Sequence, residues 1–210
     1  MFALTADQVN SRHSDDLVDG ELVELSRIGG VHLLLPPDRS AGDELQVATP
    51  DATAALDMVL HLTRDGRWSV GLAIGDVRHP LPVSTRALAG SAFILARSAV
   101  EAAKKKPTRF ALVIETGRHP DTETLQPLME LLLQLRARRT PEGWELSELL
   151  STGISQKQAA DRLGITPQAV SLRAQSAQLR TESAARTALA TLLQASNESI
   201  NGEQSSRKES

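Results

Sequence analysis

The chain has 210 residues, 40% of them hydrophobic, with a formal net charge of −3 and no cysteine or tyrosine. That is enough apolar material for one domain or two small ones, and it excludes disulfides, thiolate metal sites and a cysteine nucleophile, in keeping with a reducing cytoplasm. Aromatic residues make up 2% of the chain, too few for the stacking platforms that hold single-stranded nucleic acid. No stretch approaches the ~20 apolar residues of a membrane span, and MFALTADQVNSR lacks the basic-then-apolar order of a secretory signal.

MFALTAD predicts a short strand ending at Asp7. Ser14, Asp15 and Asp16 open a helix that runs to about Ile28, with acids at its positive end. VHLLLPP and LQVATP read as two strands, joined into a hairpin by the turn residues of DRSAGDE. DATAALDMVLHLTRDG predicts an amphipathic helix capped by Asp51 and stopped at Gly66. WSVGLAIGDV is a further strand, with Val70, Leu72 and Ile74 on one face. Residues 84–106 predict a helix rich in alanine, whose small side chains let it sit close on a sheet; Lys104, Lys105 and Lys106 suit its C-terminus. FALVIETG is the last strand. The economical packing of this order is an antiparallel sheet with helices on one face, an α+β domain over residues 1–118.

Helices follow over residues 119–195: DTETLQPLMELLLQLRARR, PEGWELSELLST with Trp144 as an anchor, a helix pair over 155–177, and TESAARTALATLLQ with an apolar stripe of Leu189, Leu192 and Leu193. Residues 196–210 are polar and predict a disordered tail.

The pair SQKQAADRLGITPQAVSLRAQ carries the strongest local signals. Ser155 is an N-cap, Gly164 a helix stop, and Thr166-Pro167 a second cap with proline at the first helical position. Ala159, Ala160 and Leu163, then Val170, Ala174 and Ala177, give the two buried faces, with Ile165 as an apolar plug. Gln168, Ser171, Leu172 and Gln175 are left outward, with Arg173 at the edge. This is the pattern of a helix-turn-helix, in which glutamine reads adenine and arginine reads guanine in the major groove. The alternative is a structural hairpin with a polar outer face. Lys157, Arg162, Arg173, Arg180 and Arg186 against Asp161 and Glu182 leave this segment at +3, and Arg136, Arg138 and Arg139 upstream add to the basic character. Lys157 and Arg180 are the expected phosphate contacts, with Thr166 beside them.

ADQVNSR, AGDELQ, WSVGLAIGDV and GSAFILAR, followed by the helix-turn-helix, occur in the order of SatD-family proteins, which the chain resembles over residues 1–180. The resemblance implies a DNA-binding protein. Residues 1–118 also look like the palm of class III nucleotide cyclases, a ferredoxin-like fold. That likeness implies a metal-binding Asp after the first strand and another in the hairpin turn. Asp7 and Asp43 match, with Glu44 as helper, and could hold Mg²⁺ with a nucleotide. The cyclase helix carries an Asn four residues before an Arg. Arg97 matches the Arg, but Phe93 stands at the Asn position, which argues against catalysis. The five histidines have no ligand spacing. The expectation is a cytoplasmic, homodimeric regulator of double-stranded DNA, not an enzyme, whose palm-like domain senses a ligand or dimerises. A nucleotidyl-transferring enzyme and a protein-interaction module are the competing readings.

Overall fold

β1 (Phe2–Gln8) lies between β3 (Glu44–Thr49) and β4 (Trp68–Ile74), antiparallel to both. β2 (Asp38–Ala41) adds antiparallel to β3, and β5 (Phe110–Ile114) adds parallel to β4, giving the order β2-β3-β1-β4-β5. The structure is a computed structural model that describes residues 1–199; among these the architecture is mixed α/β, with one five-stranded sheet and eight α-helices. No helix among them is long and apolar enough to cross a membrane. The chain divides into two units, one of Met1–Glu130 with the segment from Ala188 onward, the other of Leu131–Thr187. The division falls inside α4 (Thr122–Ala137) and α8 (Leu179–Glu198), not near residue 118.

The two faces of the sheet are built differently. Ala3, Ala48 and Ala73 stand side by side across β1, β3 and β4 and pack with Ala92, Phe93 and Ala96 of α3 (Ser91–Ala103). A Cβ at Gly71 would lie 2.3 Å from the Val100 nitrogen and 2.5 Å from the Ala96 carbonyl oxygen. Only glycine allows the helix backbone to rest on the strand there. Strand side chains alternate, so Leu4, Val47 and Leu72 point the other way, and none is more than 2% exposed. α2 (Ala52–Leu62) packs on β1, β3 and β4, and α1 (Val18–Gly29) packs on α2. Helices therefore cover both faces, where the sequence pattern predicted one, and β5 departs from a purely antiparallel sheet. The reason is visible in β4. All seven of its residues are buried, as in a strand covered twice; its large side chains face one helix layer and its small ones the other.

Local departures have local causes. VHLLLPP forms no strand: residues 30–32 make a 3₁₀ turn, Pro36 and Pro37 offer no amide, and Leu34 and Leu35 pack against the alanine layer. The hairpin's first strand is instead the polar DRSA. α1 starts at Val18, whose amide donates to Asp16 Oδ1 at 3.0 Å. α3 starts only at Ser91 because the chain is extended at Leu88. The outer amides of β5 at Leu112 and Ile114 donate to Gln126 Oε1 (2.6 Å) and Thr122 Oγ1 (2.8 Å) of α4, which closes that sheet edge. α8 continues through Glu198 with Ser196 buried, so the expected tail does not begin at residue 196; residues 200–210 lie outside the described residues.

Candidate nucleic-acid interface

α5 (Pro141–Ser151), α6 (Gln156–Leu163) and α7 (Pro167–Ser176) form a three-helix cluster. Their starts are fixed by side-chain caps. Thr140 Oγ1 accepts from Gly143 N at 3.2 Å and Thr166 Oγ1 from Ala169 N at 3.1 Å. Ser155 and Gln158 make a reciprocal capping box: Ser155 Oγ accepts from Gln158 N (3.2 Å) and Gln158 Oε1 from Ser155 N (2.9 Å). Gly164 closes α6 in the left-handed conformation, φ 64°. Leu146, Ala159, Ala160 and Val170 are buried together, and Leu150, Ile154, Leu163, Ile165, Ala174 and Leu179 pack around them. The small residues of α6 let α7 cross it closely.

This packing leaves one face of α7 bare. Gln168, Ser171, Leu172 and Gln175 are all exposed, at the i, i+3, i+4, i+7 spacing of a single stripe. Leu172 is 65% exposed. A groove of about 540 Å³ beside the stripe is lined by Ser171, Gln175, Gln156, Arg180 and Thr181, which brings Arg180 next to the outward residues. Lys157 is exposed on α6. Arg173 lies elsewhere: its guanidinium donates to Glu145 Oε2 of α5 at 3.1 Å and its side chain is 24% exposed, off the stripe. Thr166 is engaged as the cap of α7.

Behind α7 sits a buried charge cluster of which the residue pattern carries no sign. Glu182, on α8, pairs with both Arg136 and Arg139. The Arg139 side chain is fully buried and also donates to the carbonyl of Ala177, the C-cap residue of α7, at 3.1 Å from Nη2. Both guanidiniums lie over the ring of Trp144, at 4.8 Å and 4.4 Å from its centroid. Arg136 and Arg139 thus do not add to an external basic surface as their sequence position suggested; Arg138 is exposed. Burial pushes the Glu182 carboxyl up, but Arg136 and Arg139 outweigh it and hold it below the usual glutamate value. Burial also lowers Arg136, against the pull of Glu182. The two directions disagree on whether the pair is favoured. The acid governs, because a guanidinium stays charged throughout the working pH range.

The other candidate residues lie on the sheet unit. Asp7 and Asp43 line one pocket of about 450 Å³ with Ser11, Ser69, Lys104 and Arg109. Asp7 pairs with Lys104 at 2.8 Å, and Asp43 accepts from Ser11 Oγ. Burial costs the Lys104 ammonium, but Asp7 and Glu101 more than offset it and hold its pKa above the ordinary lysine value. Glu44 and Arg97 pair with each other at 2.9 Å and do not line that pocket. Phe93 is 7% exposed and belongs to the alanine layer. Among the described residues no group of three or more His, Asp or Glu is placed to hold a metal ion; two carboxylates, each with a hydroxyl or ammonium partner, are what the pocket offers. Lys106 pairs with Glu130 at 2.7 Å. Comparisons with protein families, with curated proteins and with solved structures found no match to this chain.

Proposed function

We propose that the chain is a sequence-specific double-stranded DNA-binding protein, a transcriptional regulator in the cytoplasm, that reads the major groove with α7. The observation that carries this is the bare stripe Gln168, Ser171, Leu172 and Gln175 on a helix fixed by a cap, a left-handed glycine and a second cap. Amide and hydroxyl side chains are base-edge readers, and a stripe that served only solubility would be expected to carry charge. Arg180, beside the stripe, and Lys157, exposed on α6, are the proposed phosphate contacts. Residues 155–177 are the helix-turn-helix of an all-helical domain in this reading. The antiparallel order β2-β3-β1-β4 supports a ferredoxin-like, palm-like sheet, and with it the likeness to the SatD family. That unit is proposed to carry no catalysis and to form the homodimer, which gives a two-fold operator with half-sites about 10 bp apart or a multiple of that.

The test is enrichment from a random duplex pool by the purified protein, followed by a salt titration on an enriched duplex. Affinity is expected to fall about 10³-fold or more between 50 and 200 mM salt if the dimer makes six or more phosphate contacts. No enriched sequence, with a flat salt response, refutes the reading.

A second reading has its own observation. Asp7 and Asp43 share a pocket with Lys104 and Arg109, which suits a nucleotide phosphate with Mg²⁺. Calorimetric titration with Mg²⁺ and a nucleoside triphosphate, repeated on Asp43→Asn, tests it; no heat of binding in either sets it aside.

A further inference from the structure

We propose that the bases read by α7 are A·T pairs, with Leu172 seated against a thymine methyl group; the inference rests on the DNA-binding reading above. The outward stripe of Gln168, Ser171, Leu172 and Gln175 carries no charge. Arg173 is the single basic residue of α7 and the natural reader of guanine O6 and N7. It is held by Glu145 at 3.1 Å, off the stripe. What remains is two glutamines, whose amide forks onto N6 and N7 of adenine, and a serine, which accepts several bases. Leu172 is the remaining member, and it is the odd one. It is 65% exposed in the middle of a polar stripe, where water gives it no advantage. On the floor of the major groove the thymine C5 methyl is the apolar group such a side chain can cover. The stripe itself holds no bidentate reader for guanine, whereas its glutamines suit adenine and its leucine suits the thymine methyl.

The experiment uses the full chain and a duplex enriched from a random pool. Each thymine of that duplex is replaced in turn by uracil, which keeps base pairing and removes only the methyl group. One thymine in each half-site is expected to matter. Its replacement should weaken binding about fourfold per half-site, the equivalent of ~0.8 kcal/mol for one buried methylene-sized group. Leu172→Ala should show no further loss at that thymine and keep its other base preferences. Enriched sites with G·C pairs in the stretch that α7 protects would overturn the inference, and so would full tolerance of uracil at every thymine. The uracil series needs no variant, so it stands even if Leu172→Ala is poorly behaved. If Leu172→Ala leaves base selection intact but abolishes self-association in light scattering, Leu172 belongs to a protein contact and the proposal fails. If no duplex is preferred over another, the DNA-binding reading itself fails. That outcome is distinct from a specific binder indifferent to the methyl group.

Discussion

Glu182→Gln should destabilise the helical unit by about 3–5 kcal/mol, the usual cost of removing one partner from a buried ion pair. The substitution keeps shape and removes one charge between two guanidiniums. The Arg139 side chain is 0% exposed and that of Arg136 is 11% exposed, so water offers little replacement. Arg139 keeps the Ala177 carbonyl and a long contact to Ser147 Oγ at 3.4 Å, but neither carries charge. An amide at position 182 can accept from one guanidinium only and turns its NH₂ group toward the other. A loss of this size is a large part of the 5–15 kcal/mol that holds a whole domain folded. Trp144 lies against both guanidiniums, so its fluorescence reports the site in a Trp68→Phe background during urea unfolding. The pH response gives a second reading. The Glu182 carboxyl is held below its ordinary value of 4.5 in the fold. Its contribution is therefore complete above pH 4.5 and is lost as pH falls through the depressed value. Wild type should lose stability in acid more steeply than Glu182→Gln. A variant within about 1 kcal/mol of wild type, with an unchanged acid limb, would show that the guanidiniums find compensation elsewhere and that Glu182 does not anchor the end of α7.

Gly71→Ala should cost about 3 kcal/mol in denaturant unfolding followed by Trp68 fluorescence, the top of the overpacking range, because the obstacles are the Val100 nitrogen and the Ala96 carbonyl oxygen rather than movable side chains; a neutral result would mean that α3 floats free of β4. Lys157→Ala and Arg180→Ala should each lower the slope of log affinity against log salt by about 1 and leave sequence preference intact, measured by fluorescence anisotropy on an enriched and a scrambled duplex. Purified protein given ATP or GTP with Mg²⁺ should form no cyclic nucleotide, since Phe93 fills the alanine layer where a cyclase needs a polar side chain; product that disappears in Asp43→Asn would reverse that expectation.

The parts legible in the sequence are those whose cause is local. Asp51, Ser155 and Thr166 cap the helices they precede, and Gly164 stops α6, because each bond closes within three or four residues. The outward stripe of α7 follows from the same periodicity. Long-range partners were illegible. The ion pair of Arg173 with Glu145, 28 residues away, has no sign in the helix periodicity. Arg136 and Arg139 looked like surface charge until Glu182 came beside them. The polar edge strand DRSA was hidden behind the apolar VHLLLPP, whose hydrophobicity serves the alanine layer instead of a sheet. The second helix layer was written in Gly71, Ala73 and Ala48, but small residues give a weak pattern beside Val70, Leu72 and Ile74.

The alanine layer gives the sheet two opposite kinds of fragility. Against α2, where Leu4, Val47 and Leu72 fill the space, the danger is vacancy: truncation leaves a hole, and a swap of similar volume is tolerated. Against α3 the space is filled by backbone approaching backbone, so truncation has little to remove and any added methyl group is an intruder. Residues one apart on the same strand should therefore show inverted tolerance in a saturation scan. Leu72 should accept Met and Ile and reject Ala, whereas Ala73 should accept Gly or Ser and reject everything larger. A sequence drifting under selection would keep the α3 side nearly frozen in size while the α2 side exchanged its aliphatic residues freely.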